Sequence, residues 1–279
     1  LCFVKEVWSA DYKGSFDLFG ALLYAFSIFI ICIGVSYLPS PLSFVFLVIS
    51  FFAFAFFFLF EKAHKHPIFD VTLFFTNRVF TFSCLASLLI YTATFANVVQ
   101  ISLYLQYLKG FSATMAGLVM MFQPITMAIF SPLAGRLSDK FEARQISTTG
   151  MAISAFGLIL LSNLRIESGL HYLILALIVT GFGFSLFSSP NVNAIMGSVE
   201  KRFYGSTNGI VATMRIIGQM SSMVLVTLVF ALVIGTVEIT PENYPALETA
   251  IRITFMIAAG LCLPGLYFSL ARGKLRDTA

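Results

Sequence analysis

Gly135-Arg136-Leu137-Ser138-Asp139-Lys140-Phe141-Glu142-Ala143-Arg144 is a run of alternating basic and acidic residues set between two long apolar stretches. Elsewhere the chain avoids charge: Asp, Glu, Lys and Arg make up 11% of its 279 residues, against 58% hydrophobic ones. Such a run between apolar segments reads as a tight turn at a membrane surface. It also fixes which side of the membrane is which.

Outward from that run, the composition narrows the class. A mean hydropathy of +0.92 leaves too little polar surface to cover a soluble globule. Crossing a hydrocarbon core about 30 Å thick takes roughly 20 apolar residues of helix. Stretches of that kind recur along the chain, and the strict alternation of a membrane barrel does not. The sequence therefore predicts an all-α membrane protein with the lipid bilayer as its main partner. The net charge of +4 reflects bases collected in loops, so nucleic acid is not implied.

Apolar length and breaker residues predict eight transmembrane helices, near Phe16–Leu38, Leu42–Phe60, Val79–Gln106, Ala113–Ala134, Ile146–Leu164, Leu170–Pro190, Gly209–Gly235 and Ala250–Ala271. If the first span leaves the cytoplasm, the cytoplasmic side collects thirteen of the 17 basic residues. The other side receives only Lys109 and Arg165, while Arg215 and Arg252 fall in or beside spans. That is the positive-inside pattern, and it puts both ends of the chain in the cytoplasm. The organisation that follows is a cytoplasmic lead-in over 1–15, two helices over 16–61, a cytoplasmic loop over 62–78, six helices over 79–272, and a cytoplasmic tail over 273–279. The first fifteen residues lack the parts of a secretory signal, and the chain, starting at Leu1, reads as a piece of a longer protein.

Chemistry-bearing clusters are scarce. Cys2, Cys32, Cys84 and Cys262 are scattered, and His64, His66 and His171 have no spacing that suits a metal, so no metal or cofactor is expected. There is no HExxH motif, carboxylate pair or Ser/His/Asp constellation inside a span, and the chain does not read as an enzyme. No acidic residue lies deep in a span; Asp17 and Glu61 stand at span ends. Polar side chains inside spans are costly and mark functional candidates. Asn97, Gln100 and Tyr104 share one face of the third span at i, i+3 and i+7. Gln123 shares a face with Met120 and Met127 on the fourth. Asn208, Arg215, Gln219 and Ser222 form a stripe on the seventh, with Arg215 about 10 Å from the predicted start of that helix. The third-span set serves equally as helix–helix packing or as a cavity wall, and the fourth-span set reads first as packing. Arg215 either snorkels to the interface or meets an acid or anion in a cavity. Glu248 stands four residues before Arg252, the spacing of a helical ion pair. Phe51, Phe52, Phe54, Phe56, Phe57 and Phe58 surround the second span on all sides, which reads as a lipid-facing helix.

The run that sets the orientation also carries a resemblance. Gly135-x-x-x-Asp139-Lys140-x-x-x-Arg144, with Arg136 inside it, resembles the loop signature of the major facilitator superfamily, with Glu142 where that signature has Gly. Three further segments are similar to the fourteen-spanner drug–proton antiporters of that superfamily: His66–Phe80, Tyr104–Gly117 and Gly205–Gly218. This resemblance implies that the last six spans form the C-terminal half-bundle and the first two are the extra pair between halves. It further implies a secondary transporter exporting drugs or small amphipathic compounds by proton antiport, with an N-terminal half and protons as partners. Asn97, Gln100, Tyr104, Gln123, Arg215 and Gln219 would then face the substrate. Gly135, Arg136, Asp139, Lys140 and Arg144 would act as a latch in the conformational cycle. A non-transporting scaffold or sensor with the same fold is the alternative, and a membrane-embedded enzyme a more distant one.

Overall fold

The computed structural model describes residues 17–38, 40–63, 73–235 and 239–273, with the backbone alone at Ala63, Asp139 and Arg202. Within them every regular element is helical. In order they are α1 (Leu18–Ser36), α2 (Pro41–Ala63), α3 (Leu73–Thr76), α4 (Arg78–Thr94), α5 (Asn97–Leu103), a π-helical segment (Tyr104–Leu108), α6 (Ala113–Met120), α7 (Phe122–Lys140), α8 (Ala143–Ser162), α9 (Leu170–Gly197), a short 3-10 turn (Lys201–Phe203), α10 (Tyr204–Val233), a second 3-10 turn (Pro241–Asn243) and α11 (Tyr244–Ala271). Eight helical stretches are long and apolar enough to cross a membrane, matching the eight expected. The third joins α4, α5 and the π segment, and the fourth joins α6 and α7.

Several boundaries move outward from the sequence reading. Pro190 sits inside α9, which continues to Gly197. Proline ends helices in water, but inside a packed membrane bundle neighbouring helices can satisfy the freed carbonyl. The seventh span starts at Tyr204 and the last at Tyr244, where Pro245 occupies a first-turn position that needs no N–H partner.

The charged run needs a correction. Its first six residues, Gly135–Lys140, are the last turns of α7, and Ala143 already opens α8, so the turn is only Phe141 and Glu142. Arg136 and Lys140 remain exposed on one helical face four residues apart, which lets the chain stay helical without burying charge.

Hydrogen bonds between helix ends show that the spans alternate in direction. At one end, Asn77 caps α4 by accepting from Phe80 N–H at 3.0 Å and donates to the Ser198 carbonyl at 2.6 Å. Asn193 donates to Ser138 at 3.1 Å, and Arg144 to the Leu270 carbonyl at 3.4 Å, at that same end. At the other, Tyr104 donates to the Arg165 carbonyl at 2.7 Å and Glu248 accepts from Ile166 N–H at 3.4 Å. Among the described residues no Glu248–Arg252 ion pair forms; Glu248 accepts from this loop instead.

In the six-span bundle α8 packs along α9, α9 against α7, and α11 against both α8 and α4, with α10 on α4. The α8–α9 seam is built from small residues. The backbones of Gly150 and Gly183 approach so closely that a Cβ on Gly150 would stand 2.5 Å from the Phe187 nitrogen. Membrane helices lack a hydrophobic drive to associate, so contact of this kind supplies the cohesion.

The first two helices form a hairpin with its own seam. Gly20, Ser27 and Gly34 recur every seven residues on α1, facing Ser43, Ser50 and Phe57 at the same period on α2. Ser43 donates to the Gly34 carbonyl at 2.6 Å and Ser50 to the Ser27 carbonyl at 3.0 Å. Most of the Phe side chains lie outside the seam, as a lipid-facing pair would place them: Phe44, Phe51, Phe52 and Phe56 are exposed. Phe57 is the exception and is buried. α1 meets the bundle at α10.

Candidate functional site

The third span is interrupted. α4 ends at Thr94 and α5 begins at Asn97. In the gap the Ala96 N–H donates at 3.0 Å to the Ser222 hydroxyl, which comes from α10. A backbone donor in a membrane must find a partner somewhere, and here a serine from a neighbouring span provides it.

Asn97 and Gln100 follow at once, and each is only 1% exposed. Neither oxygen nor nitrogen of the Asn97 amide has a hydrogen-bond partner, and neither has the Gln100 oxygen. Buried polar groups without partners are rare and costly, commonly about 1–3 kcal/mol each. Tyr104, the third member of this face, is equally buried, with its hydroxyl bonded to the Arg165 carbonyl. The three do share a face, and it turns into the bundle; Phe95, Val98 and Val99 take the exposed side.

The other three residues lie nearer the surface. Gln123 begins α7 just past a break at Met121 and is half-buried, with its backbone against Gly181. Met120 and Met127 beside it pack on the core. On α10, Arg215 is exposed and Gln219 half-buried, while Ser222 is buried at the gap already described. Gly218 between them lets α10 approach α4: a Cβ there would stand 2.7 Å from the Leu88 carbonyl. Because α10 begins at Tyr204, Arg215 sits about 16 Å along a helix of roughly 44 Å. That is deeper than the sequence-predicted start of the span implied. Arg215 makes no ion pair among the described residues.

Of the charged run, Gly135 packs against α9, where a Cβ would meet the Ser189 hydroxyl at 3.3 Å, and Arg144 reaches α11. Nothing is described of the Asp139 side chain. The run therefore braces α7 and α8 against α9 and α11.

One cluster went unread in the sequence. Arg272, counted there among the loop bases, is 1% exposed at the end of α11. Its guanidinium donates to Asn191 Oδ1 at 2.7 Å, Ser83 at 3.2 Å and Ser147 at 3.3 Å. Asn191 in turn donates to the Ser83 carbonyl at 3.0 Å and the Ser87 hydroxyl at 2.8 Å. Burial pulls the guanidinium down to about 10, with Glu142 nearby opposing the shift and Arg144 adding to it, so Arg272 stays charged at neutral pH. Ser83 and Ser87 at i, i+4 opposite an Asn in another span were the signal available. On the α1–α2 hairpin, Asp17 and Glu61 are also buried, converging over Gly20.

Comparison with known proteins follows the same outline. The family profile described as Major Facilitator Superfamily matches residues 83–278. The chain is 28% identical over 263 residues to riboflavin transporter RibZ of Clostridioides difficile, covering 92% of this chain and 56% of that protein. It is 30% identical over 163 residues to multidrug resistance protein 3 of Bacillus subtilis, covering 58% of this chain and 31% of that one. It is 26% identical over 223 residues to multidrug resistance protein Stp of Mycobacterium tuberculosis, covering 78% of this chain and 41% of that one. The chain spans about half the length, or less, of these relatives.

Proposed function

The chain belongs to the major facilitator superfamily and is an integral, multi-pass membrane protein, and from that premise we propose that it is part of a secondary transporter exporting drugs or small amphipathic compounds in exchange for protons. Its six-span bundle would be one of two halves that alternate access to a site near the membrane midplane. Riboflavin and the drugs implied by the names of the relatives are the compounds to try first. The observation that carries this reading is Arg215. A guanidinium well inside an apolar span, exposed and without an ion pair among the described residues, is too costly to face lipid. It faces a polar cavity or a second half instead.

On this reading Arg215, Gln219 and Gln123 offer the accessible substrate contacts. Asn97 and Gln100, next to Tyr104, hold unused hydrogen-bonding groups that a movement of the interrupted third span would present. The charged run, Gly135, Arg136, Asp139, Lys140 and Arg144, would steady the moving end on the cytoplasmic side.

The test is substrate-dependent proton flux in vesicles carrying the intact protein. Flux with riboflavin or a cationic dye is expected, and the absence of flux for every solute tried would overturn the proposal. Arg215→Ala should lower transport by about tenfold, the equivalent of about 1.4 kcal/mol at the binding or translocation step. Asp139→Asn should cut the turnover rate while leaving KM near its original value; a raised KM at unchanged turnover would count against a latch.

A further inference from the structure

At the end of the bundle away from the charged run, the third span finishes in a widened turn. Tyr104–Leu108 is π-helical, closed by the Lys109 N–H on the Tyr104 carbonyl at 3.1 Å. Gly110 follows with φ of 68°, a left-handed turn that suits glycine. In an α-helix a side chain five positions on points about 140° around the axis. The π turn instead brings Lys109 back over Tyr104, with its ammonium 5.8 Å from the ring centroid. π segments of this kind are frequent at functional sites.

The ammonium is pinned from outside the span by two carbonyls, Ile166 at 2.5 Å and Ser168 at 2.6 Å. Between those two residues stands Glu167, exposed at the rim. Lys109, Glu167, Tyr104, Leu105, Phe111 and Leu173 are among the residues lining a cavity of about 260 Å³. Neither Lys109 nor Glu167 makes an ion pair among the described residues. Carbonyl oxygens solvate an ammonium but leave its charge in place, and an anion remains the missing partner. The unpaired carboxylate calls equally for a cation. The rest of the wall is largely apolar, with Leu170 open to the surface. The cavity sits at the end of a span, the level of lipid headgroups.

We propose that this cavity binds the headgroup of a zwitterionic aminophospholipid, its phosphate on Lys109 and its ammonium on Glu167, with the acyl chains leaving over Leu170. This site lies apart from the accessible Arg215–Gln219 surface, and its occupant is a lipid of the bilayer, not a transported compound.

The experiment compares dihexanoyl phosphatidylethanolamine, dihexanoyl phosphatidylglycerol and acyl-free phosphoethanolamine on the purified intact protein, each competing with a fluorescent short-chain phosphatidylethanolamine. The ethanolamine lipid should bind about fivefold tighter than the glycerol lipid, the size of one partly exposed charge pair. Acyl-free phosphoethanolamine should bind far more weakly than either lipid. Glu167→Gln should erase the preference while leaving glycerol-lipid binding intact. Lys109→Gln should weaken both lipids and Lys109→Arg restore them. Because Lys109 also holds the 166–168 loop, Glu167→Gln, on an exposed loop position, is the decisive variant. Equal affinity for the two lipids in the unsubstituted protein would overturn the proposal, as would a preference that survives Glu167→Gln. Acyl-free phosphoethanolamine binding as tightly as the lipid would overturn it too, by assigning the cavity to soluble zwitterions.

Discussion

Arg272→Ala should cost about 3 kcal/mol of stability and lower the thermal midpoint of the purified protein in detergent by several degrees. The guanidinium joins four helices at one point: it leaves α11 and bonds to Ser83 of α4, Ser147 of α8 and Asn191 of α9. Removing it strips Asn191 Oδ1 of its 2.7 Å donor in a place that water does not reach. The side chain pays for its own burial, as its lowered proton affinity shows, so a simple count of its hydrogen bonds would overstate the loss. Two further substitutions separate the causes. Arg272→Met keeps most of the volume but none of the donors, and should be nearly as damaging as Ala if hydrogen bonding is what holds the helices. Arg272→Lys keeps the charge without the planar fork, so it reaches fewer partners and should fall between. A loss below about 1 kcal/mol in Arg272→Ala, within the range of an ordinary surface change, would contradict the role assigned to this cluster.

This cluster also shows why some of the molecule was legible in the sequence and some was not. Hydropathy is a one-dimensional property, and the eight spans followed from it almost unaided. The order of the motifs was equally readable, since the family profile spans residues 83–278 and so takes in all but the first of the segments that carried the resemblance. Arg272 was misread because a base just past an apolar span has two fates with the same sequence signature. It can sit in the loop, or it can fold back on neighbouring helices when they offer acceptors. The acceptors here are Ser83, Ser147 and Asn191, spread over more than a hundred positions, and only the packing brings them together.

The face formed by Asn97, Gln100 and Tyr104 shows a second limit. Helical spacing established that they lie together, but periodicity says nothing of which side of a membrane helix is the inner one. Around Asn97 and Gln100 only the opposite side is apolar, with Val98 and Val99 exposed. The interruption at Phe95–Ala96 was hidden for a related reason. No Pro or Gly marks it; the gap is held by a serine on another span. The charged run looked like a loop because charge and loop usually coincide at a membrane surface. Yet a helix can carry Arg136 and Lys140 outward beyond the apolar zone and stay helical to its end.

Gly183→Ala, a single added methyl group, should be among the most damaging small substitutions at the described residues. The Cβ it introduces would fall on Ser154 of α8, within 2.8 Å of the Gly150 carbonyl oxygen and 2.7 Å of the Ser154 hydroxyl. Those obstacles are mostly backbone, which cannot rotate aside as a side-chain tip can. Relief requires the two helices to separate, and separation loosens the most extensive helix pair in the bundle. α7 packs on α9 as well, and α11 on α8, so the displacement reaches four spans. Overpacking of a tight interior commonly costs about 1–3 kcal/mol, and a backbone clash belongs at the upper end. Gly260→Ala supplies the control, since nothing stands within 4 Å of a Cβ there. It should be neutral or slightly stabilising, because Ala favours helix over Gly by about 1 kcal/mol in water. Thermal unfolding of the two variants in the same detergent gives the comparison directly. If both variants unfold at the temperature of the unsubstituted protein, the α8–α9 seam is not the close backbone contact described here. If Gly260→Ala alone is damaging, the cohesion of the bundle lies along α11 instead.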